Sequence, residues 1–177
     1  MNDQLFWQLI AEAKEKTNDV EAQVEALVQI LMKRPVKEII GFQKIFEQKL
    51  ESMCEAKLFA AAYYIMAIDE EEENESDDDR FSYFCAWLLA QGQEIVEKAI
   101  ADPDSLADIL EVNDEGECIC ECEMMLYVAD NAYEMKTGDE DFYEKFQSDP
   151  IFELRGELEE GADYESLFPK LVALLED

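Results

Sequence analysis

Phe81-Ser-Tyr-Phe-Cys-Ala-Trp-Leu-Leu-Ala-Gln-Gly-Gln-Glu-Ile-Val-Glu-Lys-Ala-Ile100 is the stretch around which the rest of the chain is organised. Phe81, Phe84, Cys85, Leu88, Ile95, Val96 and Ala99 recur at helical steps, and Tyr83 and Trp87 widen the stripe until little of the first two turns is polar. A helix apolar on most sides has to be wrapped by others. Beyond Gly92 the pattern becomes one-sided, with Gln93, Glu94, Glu97 and Lys98 opposite the apolar residues, so the helix over 81–101 is expected to leave the core there.

The surrounding composition agrees with a helical wrapping. The chain has 177 residues, only 6 Gly and 4 Pro, and is rich in Ala, Leu, Glu, Lys, Gln and Met. Those residues lose little side-chain entropy in a helix. This length suits one domain, 1–177, with a core that needs neither disulfide nor metal. No long alternation of apolar and polar residues marks a half-buried strand. The expected fold is therefore all-α, a single compact helical domain of about seven to nine helices around the 81–101 helix.

Charge and missing residue types exclude much. Lys and Arg number 14 and Asp and Glu 45, a net charge of −31. Nucleic acid is excluded as a ligand because its backbone needs Lys and Arg to displace counterions, and an anionic membrane surface is disfavoured for the same reason. A cationic partner, a hard metal ion or plain solubility remain as reasons for the charge. There is no histidine. Ser-His and Cys-His nucleophiles, a His proton shuttle and most catalytic zinc sites go with it. Five cysteines, an odd number behind an N-terminus without a basic or long apolar region, indicate a reducing cytoplasm. No segment has the ~20 apolar residues of a membrane helix.

Along the chain, Asp3 is placed to cap a first helix that buries Phe6, Trp7, Leu9, Ile10 and Ala13. Asn18 and Glu21 form a capping box for a second helix, which buries Val20, Val24, Leu27, Val28 and Leu31. Pro35 opens a third as its first residue. A break is expected near Ser52 to Glu55, and then a short helix over 58–68 whose Ala60, Ala61 and Ala62 allow close approach to the 81–101 helix. Asp69 to Asp79 is an acidic loop that cannot fold on itself. Ser76 is a candidate cap for the helix that follows it. Asp102-Pro103-Asp104 starts another short helix. A long helix is expected from Glu117 to Lys136, with Ile119, Cys122, Leu126, Ala129 and Tyr133 inward. Phe142, Tyr143 and Phe146 mark a short helix, 147–163 an irregular stretch, and 164–176 a closing helix begun or interrupted at Pro169.

Cys118-x-Cys120-x-Cys122 attracts attention as a thiolate set, but on a helix Cys120 would point away from the other two, so the ordinary reading is small packed side chains. The acidic loop lacks the alternating aspartates and turn glycine of a calcium-binding hand. No catalytic set, metal set or cofactor motif emerges. Arg80, Phe84, Trp87 and Gln91 share one face at helical spacing, with Asp77 and Asp78 beside them. If that face is open, Asp77, Asp78, Arg80, Trp87 and Gln91 form a binding site of one aromatic flanked by polar groups. If it is closed, Trp87 is a core residue.

Several pieces in order resemble a family: Phe6-Trp7, Ser76-Asp-Asp, Phe84-x-x-Trp87-Leu88-x-x-Gln91-Gly92, Asp102-Pro103-Asp104, Leu126-Tyr-Val-Ala129 and Phe168-Pro169-Lys170-Leu171. Together they resemble the bacterial "domain of unknown function 4240". That resemblance implies a helical, cytoplasmic, single-domain protein and no particular activity. Cys85 stands where the resemblance implies arginine, and the loop before Ser76 is expanded. The sequence thus leads to a non-enzymatic acidic interaction domain that binds a basic protein partner. The alternative is a small-molecule or divalent-cation pocket near the start of the central helix.

Overall fold

Short polar side chains that take up free backbone N–H groups start the first two helices. In the computed structural model, which describes residues 1–17, 19–66, 77–114, 118–146, 153–158 and 163–176, α1 (Asp3–Lys14) begins after Asn2. The Asn2 side chain accepts the Leu5 N–H at 2.9 Å, so the cap lies one residue before the expected Asp3. α2 (Val20–Met32) is capped by Asp19, which accepts the Ala22 N–H at 2.7 Å in place of the expected Asn18 box. Asn18 lies outside the described residues. α3 (Val36–Ser52) has Pro35 as its cap rather than as its first residue.

α3 stops at Ser52 for a reason far away in the chain. The Arg155 guanidinium donates to the Glu51 and Ser52 carbonyls, both at 2.9 Å, and to the Glu55 carboxylate at 2.9 Å. A parallel bridge between Glu55 and Arg155 fixes the same junction. α4 (Ala56–Ile65) then packs on α5 (Asp77–Gln91) as the alanine run predicts, with Phe59 edge-on to Phe81 at 4.9 Å. The acidic stretch 69–76, with Ser76, lies outside the described residues. Asp77, Asp78 and Asp79 contribute backbone to the first turn of α5 rather than to a loop.

The fold is all-α among the described residues, and α5 is the enclosed rod. Phe84, Ala86, Leu88, Leu89 and Ala90 are fully buried, and Trp87 is 6% exposed. Gln23 of α2 is buried beside them and donates to the Ala90 carbonyl at 2.8 Å, satisfying a polar group that burial would otherwise penalise.

The 81–101 helix is two helices. Gly92, at φ 103° and ψ 168°, separates α5 from α6 (Gln93–Ala101), which carries the one-sided pattern and buries only Val96 and Ala99. A Cβ at position 92 would meet nothing within 4 Å, so the requirement for glycine is conformational. Gly92→Ala is expected to destabilise by about 1–3 kcal/mol in urea unfolding. No loss would mean that the junction relaxes freely.

A 3-10 helix (Pro103–Asp108) follows, and Asp104 in it is buried. The long helix expected over 117–136 is not formed. Residues 118–122 form no helix, with Cys118 in an antiparallel bridge to Val112; a second 3-10 helix covers Glu123–Tyr127, and α7 spans only Val128–Thr137, closed by Gly138 in the left-handed region. The chain ends in α8 (Phe142–Lys145), α9 (Tyr164–Leu167) and α10 (Pro169–Leu175). Asp104 Oδ1 accepts the N–H groups of Lys170 and Leu171 at 2.9 and 3.0 Å, capping α10 from 66 residues away. None of the helices among the described residues is long and apolar enough to cross a membrane.

Candidate functional site

The face of α5 expected to carry a site is closed. Phe84 and Trp87 pack with ring centroids 5.8 Å apart, and both are buried. Gln91 serves the end of the helix: its Nε2 donates to the Trp87 carbonyl at 3.3 Å, while its own carbonyl and Oε1 accept Lys14 Nζ at 2.8 and 3.2 Å. The Lys14 ammonium thus sits where the helix dipole favours a cation, and burial lowers its pKa. Arg80 is directed elsewhere. Its guanidinium forms a two-pronged pair with Glu121, both contacts at 3.1 Å. Arg80, Trp87 and Gln91 therefore do not converge on one opening, and the backbone of Asp77 and Asp78 lies in the first turn of α5.

Glu121 belongs to the cysteine stretch, whose arrangement explains both the pairing and the missing helix. Cys120 and Cys122 are buried and Cys118 half-buried, while Ile119, Glu121 and Glu123 are exposed, Ile119 at 80%. That is period-two alternation, the signature of extended backbone. The Cys122 N–H donates to the Tyr83 carbonyl at 3.0 Å, so the stretch lies along α5 and brings Glu121 to Arg80. Burial pushes the Cys120 thiol up to about 12, with Cys118 and Glu121 adding to the shift. Thiols held protonated are poor nucleophiles and poor ligands. No group of three Cys, Asp or Glu side chains is placed to hold a metal ion among the described residues.

Sequence reasoning missed two concave features. One is a cavity of about 400 Å³ on the opposite side of the first turns of α5, lined by Leu50 and Cys54 from the end of α3, Phe59 from α4, Asp79, Phe81, Ser82 and Cys85 from α5, and Leu154. Its walls are mostly apolar, with one carboxylate and one hydroxyl. Burial raises the thiols of Cys54 and Cys85. The helical spacing of Asp79, Ser82 and Cys85 was visible in the sequence, but which neighbour would leave that face uncovered was not.

The other is a surface groove of about 580 Å³ between α2 and α7, lined by Ala22, Val24, Glu25, Ala26, Val28, Gln29, Met124, Asn131, Glu134 and Met135. The helices run in the same direction. Glu21 lies near Cys122 at one end, while Gln29 reaches Met135 and Lys136 donates to the Met32 carbonyl at the other. Met124 and Met135 are 44% and 56% exposed, high for thioether side chains. Met135 follows α7's inward residues Ala132 and Tyr133, and nothing in its spacing distinguishes it as exposed.

The comparison with known families decides the chain's affiliation. A family model described as "Protein of unknown function (DUF4240)" matches residues 1–135. The chain belongs to that family. No curated protein and no solved structure matches it. The DUF4240 match covers α1 to α6 and most of α7, including the Trp87-Leu88-x-x-Gln91-Gly92 motif and the α2–α7 groove. Within this DUF4240 chain that motif builds the core and the α5–α6 junction. The Phe168-Pro169-Lys170-Leu171 piece falls beyond the match, yet Asp104 of the Asp-Pro-Asp piece ties it to the matched part.

Proposed function

We propose that this DUF4240 protein is a non-enzymatic, cytoplasmic interaction domain of bacteria that binds a basic protein partner through its acidic surface. The observation that carries the reading is how the cations are used. Among the described residues, ion pairs engage Lys16, Arg34, Lys49, Arg80, Lys98, Lys145, Arg155 and Lys170 with the chain's own carboxylates. Lys14 and Lys136 are bonded to main-chain carbonyls. With 45 acidic residues against 14 basic ones, carboxylates outnumber cations by 31 however the cations are paired. A surface of this kind accelerates encounter with a cationic protein and repels anionic ones. The closure of the Trp87 face supports the same reading, because it removes the aromatic site that favoured a small ligand.

The test is capture on the immobilised protein from native lysate at low and at high salt. A basic partner retained at low salt and released at high salt is the expected result. Absence of any salt-sensitive partner contradicts it.

The cavity beside Cys54 and Cys85 favours a second reading, a small-molecule site near the start of α5, because its size lies in the range of ligand pockets. A metabolite at a hundred times its dissociation constant would then raise the melting temperature by about 5–10 °C. Cys85→Phe, which fills the cavity, should abolish the shift. A shift unchanged in that variant places the ligand elsewhere.

A further inference from the structure

We infer that the partner docks as a basic amphipathic helix laid into the α2–α7 groove, its apolar face on Met124 and Met135 and its cations on Glu25 and Glu134. This rests on the reading of the protein as a binder of basic partners and adds where and in what form the partner binds.

The floor of the groove is apolar, formed by the buried Val24 and Val28 and the half-buried Ala22 and Ala26. Small residues on the floor let a third helix approach closely, in the manner of ridges entering grooves. Its length suits a helix: the 13 residues of α2 span about 20 Å, or three to four turns of a partner laid alongside. Met124 and Met135 stand toward opposite ends of this length, flexible side chains that reshape around differing apolar residues.

Charge complementarity selects the occupant. Glu25 and Glu134 line the groove from opposite helices, both are exposed, and neither has a cation partner among the described residues. A helix with Leu or Phe on one face and Lys or Arg on its flanks satisfies both the floor and the rim. An anionic or wholly polar segment satisfies neither.

The probe is an 18-residue peptide of Leu and Lys, labelled with a dye and arranged so that a helix segregates the two residue types. Its controls are the same composition scrambled to destroy the faces, and a peptide of equal charge without leucine. The segregated peptide is expected to bind at least tenfold more tightly than the scrambled one by fluorescence anisotropy, gaining helicity in circular dichroism. Met124→Gln with Met135→Gln should weaken it about tenfold or more. Glu25→Gln with Glu134→Gln should weaken it and flatten its salt dependence, while Ile119→Ser should leave it unchanged. The substituted side chains are exposed, and an unchanged melting temperature verifies the fold.

Equal binding of segregated and scrambled peptides, or indifference to both double variants, overturns the groove assignment while leaving the charge-driven partner reading intact. Failure of the segregated peptide to bind also overturns it. The partner reading falls separately, if the lysate capture yields no salt-sensitive protein.

Discussion

Phe84→Ala is expected to destabilise the protein by about 3–5 kcal/mol, the largest loss foreseen for any single substitution considered. Phe84 is fully buried at the centre of α5, its ring 6.3 Å from that of Phe81 and 5.8 Å from that of Trp87. Truncation removes that burial and leaves a cavity which α1, α2, α3 and α4 cannot all close, since each is fixed by its own contacts. Domains are stable by about 5–15 kcal/mol, so a large share of the total is lost. For a chain of this size the melting temperature should fall by about 6–20 °C. Urea unfolding measures it. Tyr127→Ala, at a side chain 42% exposed, serves as the control and should change stability by no more than about 0.5 kcal/mol. Comparable losses in the two variants would mean that α5 is not the enclosed element.

Asp104→Ala is the second large effect, about 2–4 kcal/mol, by a different mechanism. The Asp104 carboxylate is buried and accepts two backbone N–H groups at the start of α10. Alanine leaves both donors without a partner, and each unsatisfied buried donor costs about 1–3 kcal/mol. Asp104→Asn retains an acceptor oxygen but loses the charge, so it should recover part of the loss. Faster hydrogen exchange at Lys170 and Leu171, with little change in α1 or α2, would localise the effect. If exchange there is unaltered, Asp104 does not hold α10.

Much of this architecture could be read from residue spacing. Phe84, Trp87 and Leu88 announced a wrapped helix because their apolar arc is too wide for a surface helix, and the alanines of α4 announced its neighbour. The change of pattern after Gly92 was legible too, but not that the helix is severed there. A positive φ at glycine leaves no mark on the hydrophobic pattern, and the same residue inside a helix would look identical. The helix missed around residue 118 had a signal that competed with the one followed. Cys118 and Cys122 fit a helical face, yet Cys120 and Cys122 with Ile119, Glu121 and Glu123 also fit a strand-like alternation, and the backbone bond to Tyr83 favours the second.

The site was less legible than the fold, for reasons of the same kind. Arg80, Trp87 and Gln91 do occupy related positions on α5, but spacing along one helix does not reveal what covers it. Glu121 draws Arg80 outward, Lys14 occupies Gln91, and the surrounding helices seal Trp87. The cavity and the α2–α7 groove depend on residues brought together from distant segments, Leu154 with Asp79 and Met135 with Gln29. Caps were misplaced by one residue for a simpler reason: Asn2 and Asp3, or Asn18 and Asp19, are equally good caps by type.

The proposed binding through the acidic surface rests on the Trp87 face of α5 being sealed. Acrylamide quenching of Trp87 fluorescence, in a Trp7→Phe variant that leaves a single indole, addresses it directly. Quenching that is slight in the native protein, and that rises to the full value of a solvated indole only across the urea transition, is the predicted result. Native quenching as strong as in the unfolded chain would contradict it and return Trp87 to the surface.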